Sequence, residues 1–275
     1  QAPVLVVNGA EAGPTLCITG AVHGDELNGI EIVRQVLHSV KASKLKGTLI
    51  GVPIVNIQGF LRSSRYLVDR RDLNRFFPGT QHGSLASRIA YSFFHQVITN
   101  CSALVDVHTG SFYRDNIPQL RADLKVPSVV EMTEGFGSTL VLQSSGAEGT
   151  LRKAAVKNGI PAVTLELGGP MILDATAVEH GVEGILNLKE ADEPAILIDE
   201  TNSLVLVSVH TRSQQSKTIV GPAITTLMDY FDNFSSNIDI IHNITFDNSS
   251  SNFGVSDVWG YTDETGIEYA IVGHM

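Results

Sequence analysis

An imidazole and a carboxylate stand three positions apart in Ala21-Val22-His23-Gly24-Asp25-Glu26-Leu27-Asn28-Gly29. Histidine nitrogens and carboxylate oxygens are zinc ligands, and hydrolytic zinc sites use three protein ligands while leaving a position open for water. His23 and Glu26 supply a short-spaced pair. His108, in Asp106-Val107-His108-Thr109-Gly110, supplies a distant third. With nine histidines in the chain, any one of them alone reads as a core or surface residue. What singles out His23 and His108 is position, because each lies where an apolar run ends, beside glycines that permit close backbone approach. Asp106 reads either as a carboxylate orienting a ligand imidazole or as a strand-end turn residue.

Glu166 stands inside an apolar run, Thr164-Leu165-Glu166-Leu167-Gly168-Gly169. A buried carboxylate without a partner is costly, so an ion pair or a catalytic role is expected. Beside an activated water it would act as general base and then as acid to a leaving amine. Glu148, in a Gly-flanked loop expected to be exposed, is a weaker competitor. Arg62, Arg65, Arg70, Arg71 and Arg75 crowd one irregular stretch that also holds Asp72-Leu73-Asn74. Arginine binds carboxylates through two parallel hydrogen bonds and stabilises developing oxyanions. A solvated surface is the alternative, but Leu73, Phe76 and Phe77 predict a packed segment. Arg152 is a further candidate for a substrate anion, with solvated surface the expected state from its residue context.

The elements needed to hold these groups follow from periodicity. Pro3 to Val7, Thr15 to Thr19, Gly47 to Val55, Ala103 to Val107 and Ala162 to Leu167 read as strands, with a turn at Asn8-Gly9. Ile30, Val33, Val36, Leu37 and Val40 recur at helical spacing, predicting a helix over Gly29 to Val40. Ser84 to Ile98, with Ser84 as N-cap, and Thr150 to Asn158 read as two more. Residues 56–79 have little periodicity, and a long irregular stretch within a compact domain is often functional. Alternating strands and helices predict an α/β fold with a mixed, mostly parallel sheet flanked by helices. In such sheets ligands bind at the carboxyl ends of strands, where His23, His108 and Glu166 all fall.

Composition sets bounds on these readings. The 275 residues, 43% hydrophobic and 17% charged, suffice for one large domain or two small ones. A net charge of −10 disfavours general nucleic-acid binding but leaves room for a local arginine cluster on an anionic substrate. No run approaches the roughly 18 apolar residues of a membrane span. Cys17 and Cys101, both in or beside apolar runs, predict two buried thiols rather than a disulfide framework or a cysteine zinc site. The chain starts at Gln1 without a signal-like segment, so a targeting peptide is expected to be absent or already removed. After about Gly184 the character changes: Pro194 to Val209 still contains strand-like runs, Asn, Ser and Asp are frequent from Gln214, and Asn248 to Asn252 reads as a linker. Sequons at Asn233, Asn243 and Asn248 matter only in a eukaryotic secretory setting.

Four ordered motifs, GAVHGDELNG, SRYLVDRRDLNRFFPG, LVDVHTG and VTLELGG, resemble the succinylglutamate desuccinylase/aspartoacylase family, relatives of the zinc carboxypeptidases, over about residues 1–188. The resemblance implies one zinc per chain on His23, Glu26 and His108, and Glu166 as catalytic base. It implies Asn74 and Arg75 as binders of the substrate carboxylate and Arg65, with Arg71 as a nearby rival, as the arginine that polarises the scissile carbonyl. Arg152 matches a further substrate arginine. Family members usually continue into a small β-rich domain that covers the active site, and no such domain is recognisable here. Asn237 to Met275 instead resembles the opening of an LVIVD-type propeller protein of the choice-of-anchor B group.

These readings predict a zinc hydrolase domain over residues 1–190 and a C-terminal segment of undefined fold over 191–275. The expected reaction is hydrolysis of the amide of a small anionic N-acyl amino acid. A metallocarboxypeptidase is the alternative within the same chemistry, and a non-catalytic binding module the alternative outside it. No nucleic-acid partner is expected. A cytoplasmic setting is the expectation, or an extracellular one if the propeller resemblance holds.

Overall fold

The structure, a computed structural model, describes residues 2–137, 139–188, 255–262 and 268–274. Its centre is a seven-stranded mixed sheet built from β1 (Leu5–Asn8), β2 (Glu11–Thr19), β3 (Lys46–Val52), β4 (Ala103–His108), β5 (Asn116–Ala122), β6 (Leu140–Gln143) and β7 (Ala162–Gly168). The strands lie in the order β1-β3-β2-β4-β7-β5-β6. The pairs β2/β3, β2/β4, β4/β7 and β5/β6 are parallel, whereas β1/β3 and β5/β7 are antiparallel. The expected mixed, mostly parallel α/β sheet is therefore present. Because β2, β4 and β7 are parallel neighbours, their carboxyl ends, distant in sequence, emerge side by side.

The described residues also form six α-helices: α1 (Asn28–Ser39), α2 (Ile57–Phe60), α3 (Leu85–Gln96), α4 (Pro127–Phe136), α5 (Leu151–Lys157) and α6 (Ala175–Asn187). Strand side chains alternate between faces. Val105 and Val107 of β4 and Val163, Leu165 and Leu167 of β7 join Ile32, Val36, Phe136 and Ile185 in one apolar cluster beneath α1, α4 and α6. Cys17, Leu104 and Ala162 join Phe93, Phe94, Leu151 and Ala155 in the other, beneath α3 and α5. On that second face the same strands turn polar towards their carboxyl ends, through Thr19, Asp106, His108, Thr164 and Glu166.

Expected elements recur with shifted ends. The first helix begins at Asn28, and Ser84 caps α3 by accepting a hydrogen bond from the Ser87 N–H. Asn8 belongs to β1 rather than to a turn. The irregular stretch contains α2 and a short 3-10 turn over Leu73–Arg75, and its packing is as expected, since Leu73 and Phe77 are buried. Among the sheet strands and their helices, β5, β6, α2, α4 and α6 have no counterpart in the sequence expectations.

The cysteine expectation is overturned. Cys17 and Cys101 form a disulfide, with Cα atoms 5.7 Å apart. The parallel β2/β4 pairing, Leu16 beside Ala103 and Cys17 beside Leu104, brings the end of the chain leading into β4 next to Cys17 across 84 residues. The spacing lies within the usual disulfide range. Strand adjacency decides this pairing, and nothing local in the sequence reports it.

Residues 255–262 and 268–274 form an antiparallel pair, β8 and β9. The strand-like runs over Pro194 to Val209, the Asn248 to Asn252 linker, the three sequons and most of the propeller-like segment lie outside the described residues.

Candidate active site

His23 and Glu26 sit on the turn between β2 and α1, which the Glu26 N–H closes by donating to the His23 carbonyl at 3.2 Å. Gly24 is required there, because a Cβ would lie 2.1 Å from the Gly59 and Phe60 backbone. Asn28, at the start of α1, donates to the Leu167 carbonyl and accepts from the Asp174 N–H, tying this turn to the end of β7. His108 is the last residue of β4 and stands in register with Glu166 on β7.

The turn and the strand end converge on one point. Glu26 Oε1 lies 2.8 Å from His23 Nδ1, Glu26 Oε2 lies 2.8 Å from His108 Nδ1, and the two Nδ1 atoms are 3.1 Å apart. All three side chains are buried. The outward nitrogens are each held by a carboxylate, His23 Nε2 by Asp72 Oδ1 at 3.1 Å and His108 Nε2 by Asp106 Oδ2 at 2.9 Å. Asp106 Oδ1 accepts from the Thr19 hydroxyl at 2.7 Å. Because Asp106 and His108 are two apart on a strand they share a face, so the carboxylate can orient the imidazole.

An imidazole that donates from Nε2 presents a lone pair at Nδ1. Two such lone pairs and a carboxylate then face one another, an arrangement that calls for a cation. His23, Glu26 and His108 offer ligand atoms within 4.8 Å of one another, and two nitrogens with a carboxylate oxygen match a hydrolytic zinc set. The carboxylates and imidazoles also shift one another's titration. Burial alone would lower the pKa of both histidines, yet Glu26 with Asp72 raises that of His23, and Asp106 with Glu26 raises that of His108 well above the usual value. Burial would also push the Glu26 carboxyl up, but the two imidazoles outweigh it and hold it far below the usual range.

Arg65 lies against this cluster. Its Nη1 is 3.1 Å from His23 Nδ1, 3.3 Å from Glu26 Oε1 and 2.7 Å from Ser111 Oγ, and its Nη2 donates to Asp72 Oδ2 at 3.0 Å. Arg71 instead pairs with Asp69 at 3.1 Å on the surface. Asn74 is buried, and its Oδ1 accepts from the Leu151 N–H at 2.8 Å, so the 3-10 turn and the start of α5 fix each other. Arg75 is half exposed and donates to the Asn74 carbonyl. Arg152 is not the solvated residue that its context suggested: it is 5% exposed and donates to the Ser144 carbonyl. Burial, with Arg121 nearby, lowers its pKa to about 10. Its helix, α5, lies against β4 and β7, and the side chain faces the cavity rather than solvent. Glu148 is exposed and occupied by Lys153 and Lys157.

A cavity of about 270 Å³ gathers these groups: His23, Glu26, His108, Glu166, Asn74 and five arginines, 65, 75, 114, 121 and 152, are on its wall. Sequence reasoning did not single out Ser111, Arg114, Asn116, Arg121 or Ser144. Their loops and strands carry no periodic signal, and only the proximity of 111–116 to His108 hinted at them.

A family model described as the succinylglutamate desuccinylase/aspartoacylase catalytic domain matches residues 12–191. The chain belongs to this family. It is 29% identical over 245 residues to the N-alpha-acetyl-L-2,4-diaminobutyric acid deacetylase of Halomonas elongata, covering 81% of this chain and 71% of the relative. Among solved structures it resembles a succinylglutamate desuccinylase/aspartoacylase from Rhodobacter sphaeroides, with a TM-score of 0.62 and 28% identity over 68% of this chain and 57% of that one. It also resembles the product-bound ectoine utilization protein EutE (DoeB) from Ruegeria pomeroyi, with a TM-score of 0.63 and 28% identity over 72% and 64% of the two chains. The chain thus spans less than two thirds of the length of these two structures. No helix among the described residues is long and apolar enough to cross a membrane.

Proposed function

We propose that residues 1–190 form a zinc-dependent amidohydrolase domain that removes the acyl group from a small anionic N-acyl amino acid. The observation that carries this reading is the convergence of His23, Glu26 and His108 in a cavity whose wall also presents Glu166. A zinc ion, which His23, Glu26 and His108 would hold, would supply a Lewis acid to acidify water and polarise a carbonyl. Glu166, on the strand beside His108, is the proposed base that takes the water's proton and returns it to the leaving amine. Arg65 donates to the developing oxyanion, and Asn74 and Arg75 hold the substrate carboxylate. Membership of a deacylase family favours an amide other than a peptide bond. The five arginines around the cavity favour acidic substrates over the cationic side chain named for the Halomonas relative.

The test combines metal analysis with a substrate panel of N-acetyl and N-succinyl amino acids and short peptides. The expected result is one zinc per chain, hydrolysis of acyl amino acids, and loss of about 100-fold or more in kcat for Glu166→Gln. Folded protein that neither binds zinc nor gains activity on its addition would refute the reading. Turnover confined to peptides would point to a carboxypeptidase, and zinc binding with no turnover to a binding module.

A further inference from the structure

Strand β5 carries a one-residue irregularity directly opposite the proposed base. Asn116 is in register with Gly168, Gln119 with Glu166 and Arg121 with Thr164. Opposed residues of an antiparallel pair share a face, and so do residues two apart on one strand. Asn116, Gln119 and Arg121 therefore all lie on the face that bears Glu166. An unbroken strand would put Asn116, an odd number of positions from Gln119, on the opposite face. The bulge restores it, and Pro118, which has no N–H to give a ladder, lies within it.

The result is a buried amide aimed at the carboxylate. Asn116 is 5% exposed, and its Nδ2 donates to Glu166 Oε2 at 2.9 Å. Arg121, two residues beyond Gln119 on β5, faces the other oxygen, with Nε 3.6 Å from Glu166 Oε1. A carboxylate has about four lone-pair sites, so these two contacts orient it and still leave acceptors for a water. Both residues are on the cavity wall beside Glu166.

We infer that Asn116 is a positioning residue for the reaction, set by the β5 bulge to hold the Glu166 carboxylate in the orientation from which it accepts a proton. The inference rests on the proposed role of Glu166 as base. Arg121 supports the same orientation from the opposite oxygen. A side chain free to rotate would spend less time aligned, and misplacement of a reacting group by about 1 Å costs up to about 100-fold in rate.

The experiment measures kcat, KM, zinc content and melting temperature for Asn116→Ala, for Asn116→Asp, for Glu166→Gln and for the double variant Asn116→Ala/Glu166→Gln. Asn116→Asp keeps the shape but replaces the donor with a second carboxylate. The expected result is a kcat loss of about 10- to 100-fold in Asn116→Ala, a larger loss in Asn116→Asp, KM within about twofold, and unchanged zinc content. Adding Asn116→Ala to Glu166→Gln should leave the residual rate where it was, because the group being oriented is already gone. Wild-type kcat in Asn116→Asp, a loss confined to KM, or an equal loss in the Glu166→Gln background would each overturn the inference. Full activity in Glu166→Gln would instead remove the reading on which it rests.

Discussion

His23 and His108 point their Nδ1 atoms at each other from 3.1 Å, across 85 residues of chain. Neither imidazole has a local reason to be there. The β2/β4 pairing brings the ends of their strands together, and Glu26 fills the third corner with one oxygen 2.8 Å from each ring. Asp72 and Asp106 complete the arrangement from outside, each holding one imidazole at its Nε2.

That outer layer gives the first prediction. In Asp106→Asn the amide orientation that keeps the hydrogen bond from Thr19 turns the NH2 to His108 Nε2. The imidazole then moves its proton to Nδ1 and loses the lone pair that would ligate. Zinc affinity should fall by about 10- to 100-fold, read by competition with a chelator, with secondary structure unchanged by circular dichroism. Unaltered affinity would mean that Asp106 is only a strand-end residue.

Arg152 gives the second. A buried guanidinium on the cavity wall suits an anionic group of the substrate. A charge-assisted hydrogen bond contributes about 1.5–3 kcal/mol, so Arg152→Gln should raise KM by about 10- to 100-fold for acyl amino acids with an acidic side chain. Analogues with a neutral side chain should change by less than about threefold. Equal effects on both would assign Arg152 to the packing of Ser144 rather than to substrate.

The third concerns the Cys17–Cys101 bridge, which closes a long loop in the apolar cluster beneath α3 and α5. Thiol titration of the unfolded, unreduced protein should find no free thiol. Replacing both cysteines with alanine should lower unfolding stability by about 2–4 kcal/mol, measured by denaturant titration. Two titratable thiols in the purified protein would contradict the bridge.

The local code was legible where a residue's role depends on its own neighbours. The turn at His23, the carboxylate within the apolar run at Glu166 and the cap at Ser84 were readable because spacing and alternation report strand ends and helix starts. The first helix was readable from Val33, Val36 and Leu37, which recur at helical spacing and are buried against the sheet. β5 was not, because Pro118 and the bulge break the alternation that marks a strand.

The sequence by itself determined the chemistry available: two imidazoles and two carboxylates at or near strand ends and an arginine-rich irregular stretch, together with the motifs that mark the family. Tertiary structure decided which of them meet. The strand order β2-β4-β7-β5 set His108 beside His23 and Glu166 and joined Cys17 to Cys101, while the packing of the irregular stretch and of α5 brought Arg65 and Arg152, but not Arg71, to the cavity wall. The physical reason is that strand neighbours are fixed by packing of both sheet faces over the whole domain, a condition that no window of sequence contains.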